Sequence, residues 1–236
     1  MSKLKWIDDA NLYAEVKQLL SIAKEAKNTA VSEFGKNVID PFSAIFEMSG
    51  FEIDYETWFK SETTRQAQKT LQNHVGDFHQ NILGFSKGWE NKKVGHVIDL
   101  ASADKKIIAE IKNKYNTISG GKLSDLYISL DNLVSPKNSI YKGYTAYYVA
   151  IVPKKTTRYD NPFTPSNKEK GEKCPMNGNI REVDGASFYT LVTGDDNALE
   201  DLFDILPDVI YECSEGRYKI KDKEKLKAFF KLAYND

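Results

Sequence analysis

The sequence predicts an α/β protein in which a central mixed β-sheet is flanked by helices and the N-terminal third is helical. Three observations predict it. Up to about residue 85, apolar residues recur every three or four positions. Residues 94–152 change to short β-branched and aromatic runs with one helical stretch between them. Helical spacing returns from residue 183 to the end. At 236 residues and 41% hydrophobic the chain can bury a full core, and it reads as one domain, 1–236.

The elements follow in order. Asp8 or Asp9 can cap a first helix carrying Leu12, Val16, Leu19, Ala23, Ala26 and Ala30 on one stripe, ending near Gly35. Asp40-Pro41 is a capping residue followed by proline at the first helical position, and the helix through Phe42, Ile45 and Phe46 stops before Gly50. A third helix, from about Ser61 to Leu83, aligns Leu71, Val75, Phe78 and Ile82. His96–Ala101 and Ile107–Lys112 read as two strands joined by a tight turn about Asp104-Lys105. Lys122–Val134 is a helix, and Tyr144–Val152 is a further strand. Residues 153–182 break the pattern. They hold four of the seven prolines and seven basic residues against four acidic ones, so a basic loop is expected there. Asp184 can then cap Gly185–Val192, Asp195 or Asp196 can cap a helix through Leu199, Leu202, Phe203 and Leu206, and Lys223–Tyr234 closes the chain.

The chemistry concentrates in the hairpin. Folding about Asp104-Lys105 pairs residues so that Asp99 lies opposite Glu110, with Cβ atoms roughly 5 Å apart on one face. Lys112, two residues on, shares that face, while Ile98, Leu100, Ile107, Ala109 and Ile111 point to the other. The apolar set is expected to face a core and the charged set a cleft. Opposed like charges destabilise a hairpin, and a Mg²⁺ ion would remove the conflict, because it takes hard oxygen ligands from one or two carboxylates and leaves positions for water and phosphate. Glu-x-Lys alone says nothing, since Glu15/Lys17, Glu25/Lys27 and Glu90/Lys92 repeat it. A charge ladder on a two-stranded ribbon would look similar, so the spacing leaves both readings open.

Composition excludes several classes. No apolar run reaches the roughly 20 residues of a membrane span, and the start, Met1-Ser-Lys-Leu-Lys-Trp, has no signal-peptide core, which points to a soluble intracellular protein. Cys174 and Cys213 stand apart without a CxxC pattern, and His74, His79 and His96 lack metal-binding spacing. A net charge of -1 argues against binding nucleic acid through overall positive charge but leaves room for a local basic patch.

The stretches NVIDPFSAIFEM, TRQAQKTLQNHVGDFHQNILG, IIAEIKNKYNT, YKGYTAYYVAIVPKK and REVDGASFYTLVTG resemble a family of bacterial type II restriction endonucleases that cut DNA at GGNCC. Asp99 and Glu110-Ile111-Lys112 match the motif of the PD-(D/E)xK nuclease superfamily, with Val97-Ile98 where the idealised motif has a proline before the aspartate. The resemblance implies a restriction-endonuclease-like core across residues 94–152. It also implies a bacterial cytoplasmic location and Mg²⁺ held by Asp99, Glu110 and the Ile111 carbonyl. Lys112 would position the attacking water, and the products would carry 5′-phosphate and 3′-hydroxyl ends. Asp77 stands where superfamily members often carry a further acid, with Glu47 the weaker alternative. Asn113, Lys114, Asn116 and Thr117 follow the triplet and suit phosphate or base contacts, and Lys154, Lys155, Arg158 and Arg181 are candidates for reading guanine. The implied partners are double-stranded DNA, a second copy of the chain as a homodimer on a nearly palindromic site, and a cognate methyltransferase that protects host DNA. A structure-directed repair or resolvase nuclease, and an inactive DNA-binding module on a nuclease fold, are the alternatives.

Overall fold

A computed structural model describes residues 2–93, 95, 97–119 and 121–234. Its centre is a six-stranded mixed sheet in the order β1-β2-β3-β4-β8-β5. These strands are β1 (Glu90–Asn91), β2 (Leu100–Ser102), β3 (Ile107–Lys114), β4 (Thr145–Val152), β5 (Asp160–Pro162) and β8 (Ile180–Asp184). The hairpin partners β2 and β3 are antiparallel, whereas β3, β4 and β8 run parallel. A small ribbon, β6 (Ser166–Asn167) with β7 (Glu172–Lys173), stands apart.

Two apolar layers cover the two faces. On one, Leu100, Ile107, Ala109, Ile111, Val149 and Ile151 pack with residues of α1 (Asp9–Thr29), α3 (Tyr55–Gly84), α5 (Gly185–Thr193), α6 (Ala198–Cys213) and α7 (Lys223–Ala233). On the other, Ala101, Ile108, Ala146, Tyr148 and Ile180 pack under α4 (Leu123–Val134). The central parallel strand β4 is apolar in nearly every position because both of its faces are covered. No helix among the described residues is long and apolar enough to cross a membrane.

The helical N-terminal third forms as the spacing predicts, with shifted ends. Asp40 caps α2 (Pro41–Gly50) by accepting from the Phe42 and Ser43 amides at 2.9 and 3.2 Å. The third helix starts at Tyr55, well before Ser61, because Asp54 accepts from the Thr57 amide at 2.9 Å and Trp58 is buried. The first helix ends at Thr29, and Phe34–Lys36 forms a separate 3-10 turn.

Two expectations are corrected. Residues 153–182 are not one irregular loop, since they contain the edge strand β5, the β6/β7 ribbon and the start of β8. With only Ile180 and Val183 buried at the apolar positions of Ile-Arg-Glu-Val-Asp, β8 has a loop's composition, and its pairing with β4 makes it a strand. Ile98 packs with Ala101 and Ile108, not with Leu100 and Ile111, because bends at Val97 and Asp99 interrupt the alternation before β2 begins at Leu100. The expected strand start at His96 lies outside the described residues.

Candidate active site

The hairpin register places the two carboxylates as the sequence spacing predicts. Its last ladder pair is Leu100 with Ala109, so Asp99 stands one step further on, level with Glu110. The Asp99 amide donates to the Ala109 carbonyl at 2.8 Å, and the Ile111 amide donates to Asp99 Oδ2 at 2.7 Å. Backbone thus fixes the aspartate on both sides. Lys112 Nζ lies 2.5 Å from Glu110 Oε1, a contact that two-residue strand spacing produces directly.

The charged face is not an open cleft along its whole length. Ala101 and Ile108, which share it, are buried under α4, and only the end towards Lys112 is partly open, where the Glu110 and Lys112 side chains are 14% and 25% exposed. This half-burial sets the electrostatics. Burial raises the Asp99 pKa against the lowering influence of the Ile111 amide and Lys112. Burial and then the Asp99 charge push Glu110 up to about 7, with Lys112 opposing. Two carboxylates are therefore held together at a cost that a bound cation would relieve.

The helix α3 brings a third acid near. It crosses β3 where Gly76 lacks a side chain, and a Cβ there would meet the Asn113 Cβ at 3.7 Å. Asp77, the next residue, raises the Asp99 pKa through its charge and pairs with His74 Nδ1 at 2.9 Å. Glu47 lies elsewhere: it accepts from Trp58 Nε1 at 2.8 Å, in the first turn of α3, about 28 Å from Asp77 at 1.5 Å per residue.

The parallel register adds two residues to this row that the sequence did not single out. Glu110 pairs with Tyr148 on β4, and Tyr148 with Glu182 on β8. Burial pushes the Tyr148 hydroxyl up to about 12, so it stays a donor, and burial also raises Glu182 against the lowering effect of Lys155. No sequence signal marks either residue, because only the order of the strands aligns them with Glu110.

The basic candidates divide into two groups. Lys114 is paired with Val152, so Lys114 and the exposed Lys154 and Lys155 leave the same ends of neighbouring strands, on the side to which Lys112 points. Asn113 Nδ2 donates to the Gln72 carbonyl at 3.4 Å. Asn116 is exposed, and Thr117 Oγ1 accepts from the Lys114 amide at 3.3 Å and so closes a turn. Arg158 and Arg181 are engaged within the chain. Arg158 donates to the Asp196 carbonyl at 2.6 Å, and Arg181 donates to the Asp160 carboxylate and carbonyl at 2.6 Å each.

The donor set fits a hard divalent cation. It offers two clustered carboxylates with no cysteine, and no group of three or more His, Cys, Asp or Glu side chains placed to hold a metal occurs among the described residues. One or two carboxylates plus substrate oxygens is the usual complement for Mg²⁺.

Comparison with known proteins gives a consistent result. The family described as Eco47II restriction endonuclease matches residues 4–214. The chain is 52% identical over 239 residues to the type II restriction enzyme Eco47II of Escherichia coli, covering 99% of this chain and 100% of that protein. It is 31% identical over 203 residues to the type II restriction enzyme Sau96I of Staphylococcus aureus, covering 84% and 76% respectively. No solved structure matches it significantly.

Proposed function

The chain belongs to the Eco47II restriction endonuclease family and is a sequence-specific restriction endonuclease acting on DNA, and on that premise we propose that Asp99, Glu110 and Lys112 form its cutting centre. The observation that supports this most is the pair of half-buried carboxylates on one hairpin with the Lys112 amine 2.5 Å from Glu110. Enzymes of this class use a divalent metal, and Mg²⁺ suits these oxygen donors. When bound, the ion supplies Lewis-acid stabilisation of the charge that builds on the phosphoryl oxygens.

The chain's own residues would do the rest. Asp99, held by the Ile111 amide, and Glu110 would hold the ion through their carboxylate oxygens, with the Ile111 carbonyl as a further candidate ligand. Lys112, beside Glu110, would orient the attacking water and add positive charge beside the phosphate. Asp77 acts from α3 as a further acid beside Asp99. Lys114, Lys154 and Lys155, with Asn113, Asn116 and Thr117, form the edge along which the phosphate backbone lies. Arg158 and Arg181 reach bases only by giving up their contacts to Asp196 and Asp160.

The substrate is double-stranded DNA at a GGNCC-like site, cut to 5′-phosphate and 3′-hydroxyl ends by a homodimer, with a cognate methyltransferase protecting the host sites. Plasmid DNA incubated with the protein and Mg²⁺, followed by sequencing of the ends, tests it. Discrete fragments with one shared terminal sequence are expected. Asp99→Ala and Lys112→Ala should each reduce the rate by about 10³-fold or more while leaving the fold intact. Plasmid left intact across a range of salt and divalent ions overturns the proposal.

A further inference from the structure

The helix α2 is inside out. Its inner stripe, towards α3, is Ala44, Glu47 and Met48, of which only Ala44 is buried. Its outer stripe, at i, i+3, i+4 and i+7, is Phe42, Ile45, Phe46 and Ser49, and the three large apolar residues are 73%, 58% and 76% exposed. A helix with apolar residues on every side is normally buried on every side. Val38, Phe51 and Tyr55 flank it, each more than half exposed.

We propose that this outer face of α2 is the surface on which a second copy of the chain docks. The proposal rests on the reading that the chain cuts both strands of a duplex. That reaction needs two cutting centres of opposite polarity, and one chain holds one hairpin with Asp99, Glu110 and Lys112.

Three observations favour a second copy as the occupant. The first is area: a large apolar or aromatic side chain covers about 150–250 Å². At the exposures seen, these six residues present on the order of 800 Å² per copy, about half of the roughly 1,600 Å² that a standard stable interface buries in total.

The second is charge. Between residues 36 and 60 there are five acids (Asp40, Glu47, Glu52, Asp54, Glu56) and two lysines. A surface flanked in this way repels phosphate, so DNA is not what covers it. The third is chemistry within the stripe, which is uncharged and has no polar group larger than Ser49. An isologous contact sets one patch against the same patch of the second copy, and an uncharged stripe is self-complementary there where a like-charged one would not be. The glutamate that α2 carries is already spent inwards on Trp58. The placement also suits the reaction, because α2 packs at the start of α3, far along that helix from Asp77, and so leaves the cutting centre open to DNA.

Mass measurement of the full chain by light scattering at micromolar concentration tests the proposal without reference to cutting. The wild type is expected at the mass of two chains. Ile45→Lys/Phe46→Lys, with both changes at exposed positions, is expected at the mass of one chain with an unchanged helical signal. Its dissociation constant should rise at least about 100-fold. Asp99→Ala should remain at two chains, which separates loss of the interface from loss of the cutting centre. Amide exchange of residues 40–52 in the wild type should slow as protein concentration rises, a readout that holds whether or not the double variant folds. A wild type that is a single chain, a folded double variant that stays paired, or exchange in 40–52 that ignores concentration overturns the proposal. A paired wild type that fails to cut leaves this surface standing and removes only the assigned reaction.

Discussion

At the residue scale, Glu110 is the side chain of the candidate active site whose chemistry its surroundings alter strongly. Burial and the neighbouring Asp99 charge raise its carboxyl from the ordinary 4.5 to about 7. Its folded-state pKa thus exceeds the unfolded one, so the folded protein holds a proton that the unfolded chain has released. The stability linked to this is complete below the ordinary value and is lost as pH rises through about 7. In metal-free protein the thermal midpoint is therefore expected to fall between about pH 5 and pH 8, and Glu110→Gln, which cannot titrate, should flatten much of that fall. Calorimetry across that window checks it, and a variant that falls as steeply as the wild type contradicts it. The placement of Asp99, Glu110 and Lys112 relative to one another was legible in the sequence, because two-residue alternation and a short turn set it locally. The half-burial that sets their pKa values was not. It depends on tertiary packing, in which Ala101 and Ile108 on the same face are buried with residues of α4.

At the element scale, two of the helix caps were readable and the strand β8 was not. Asp40 and Asp184 each accept an amide from the first turn of the helix they were expected to cap, whereas Asp54 does the same for a helix start that the spacing had put near Ser61. The strand Ile180–Asp184 has charges at its second and third positions and resembles the loop before it, so only its place beside β4 defines it. Its junction with α5 gives a sharp test. Gly185 begins α5 directly against β4, and a Cβ there would lie 2.3 Å from the Ile151 carbonyl oxygen and 2.7 Å from its Cα. Backbone on both sides cannot yield easily, so Gly185→Ala should cost about 2–4 kcal/mol, or roughly 5–15 °C in thermal midpoint. Unchanged melting would show that α5 can move away from the sheet freely.

At the scale of the whole molecule, a net charge of -1 means that DNA affinity must come from where the lysines are, not from how many there are. Lys114, Lys154 and Lys155 lie at one end of the parallel strands, while Arg181 is tied to Asp160 across β8 and β5. Removing Lys154 and Lys155 together is expected to lower the salt dependence of DNA binding by about two units of slope. Arg181→Ala should leave that slope in place and instead loosen the β5 edge, seen as a lower melting point. Binding titrations over a salt series separate the two outcomes, and a slope unmoved by the double lysine change would place the phosphate path elsewhere. By itself the sequence determined the α/β class, the helical N-terminal third and the hairpin with its two acids and lysine, because each is written in contacts a few residues long. Only the tertiary structure decided that Asp77 approaches Asp99, that Tyr148 and Glu182 extend the row of Glu110, that Arg158 and Arg181 are held within the chain, and that α2 turns its phenylalanines outwards. Those depend on which segments distant in sequence pack together, and residue spacing along the chain carries no record of that choice.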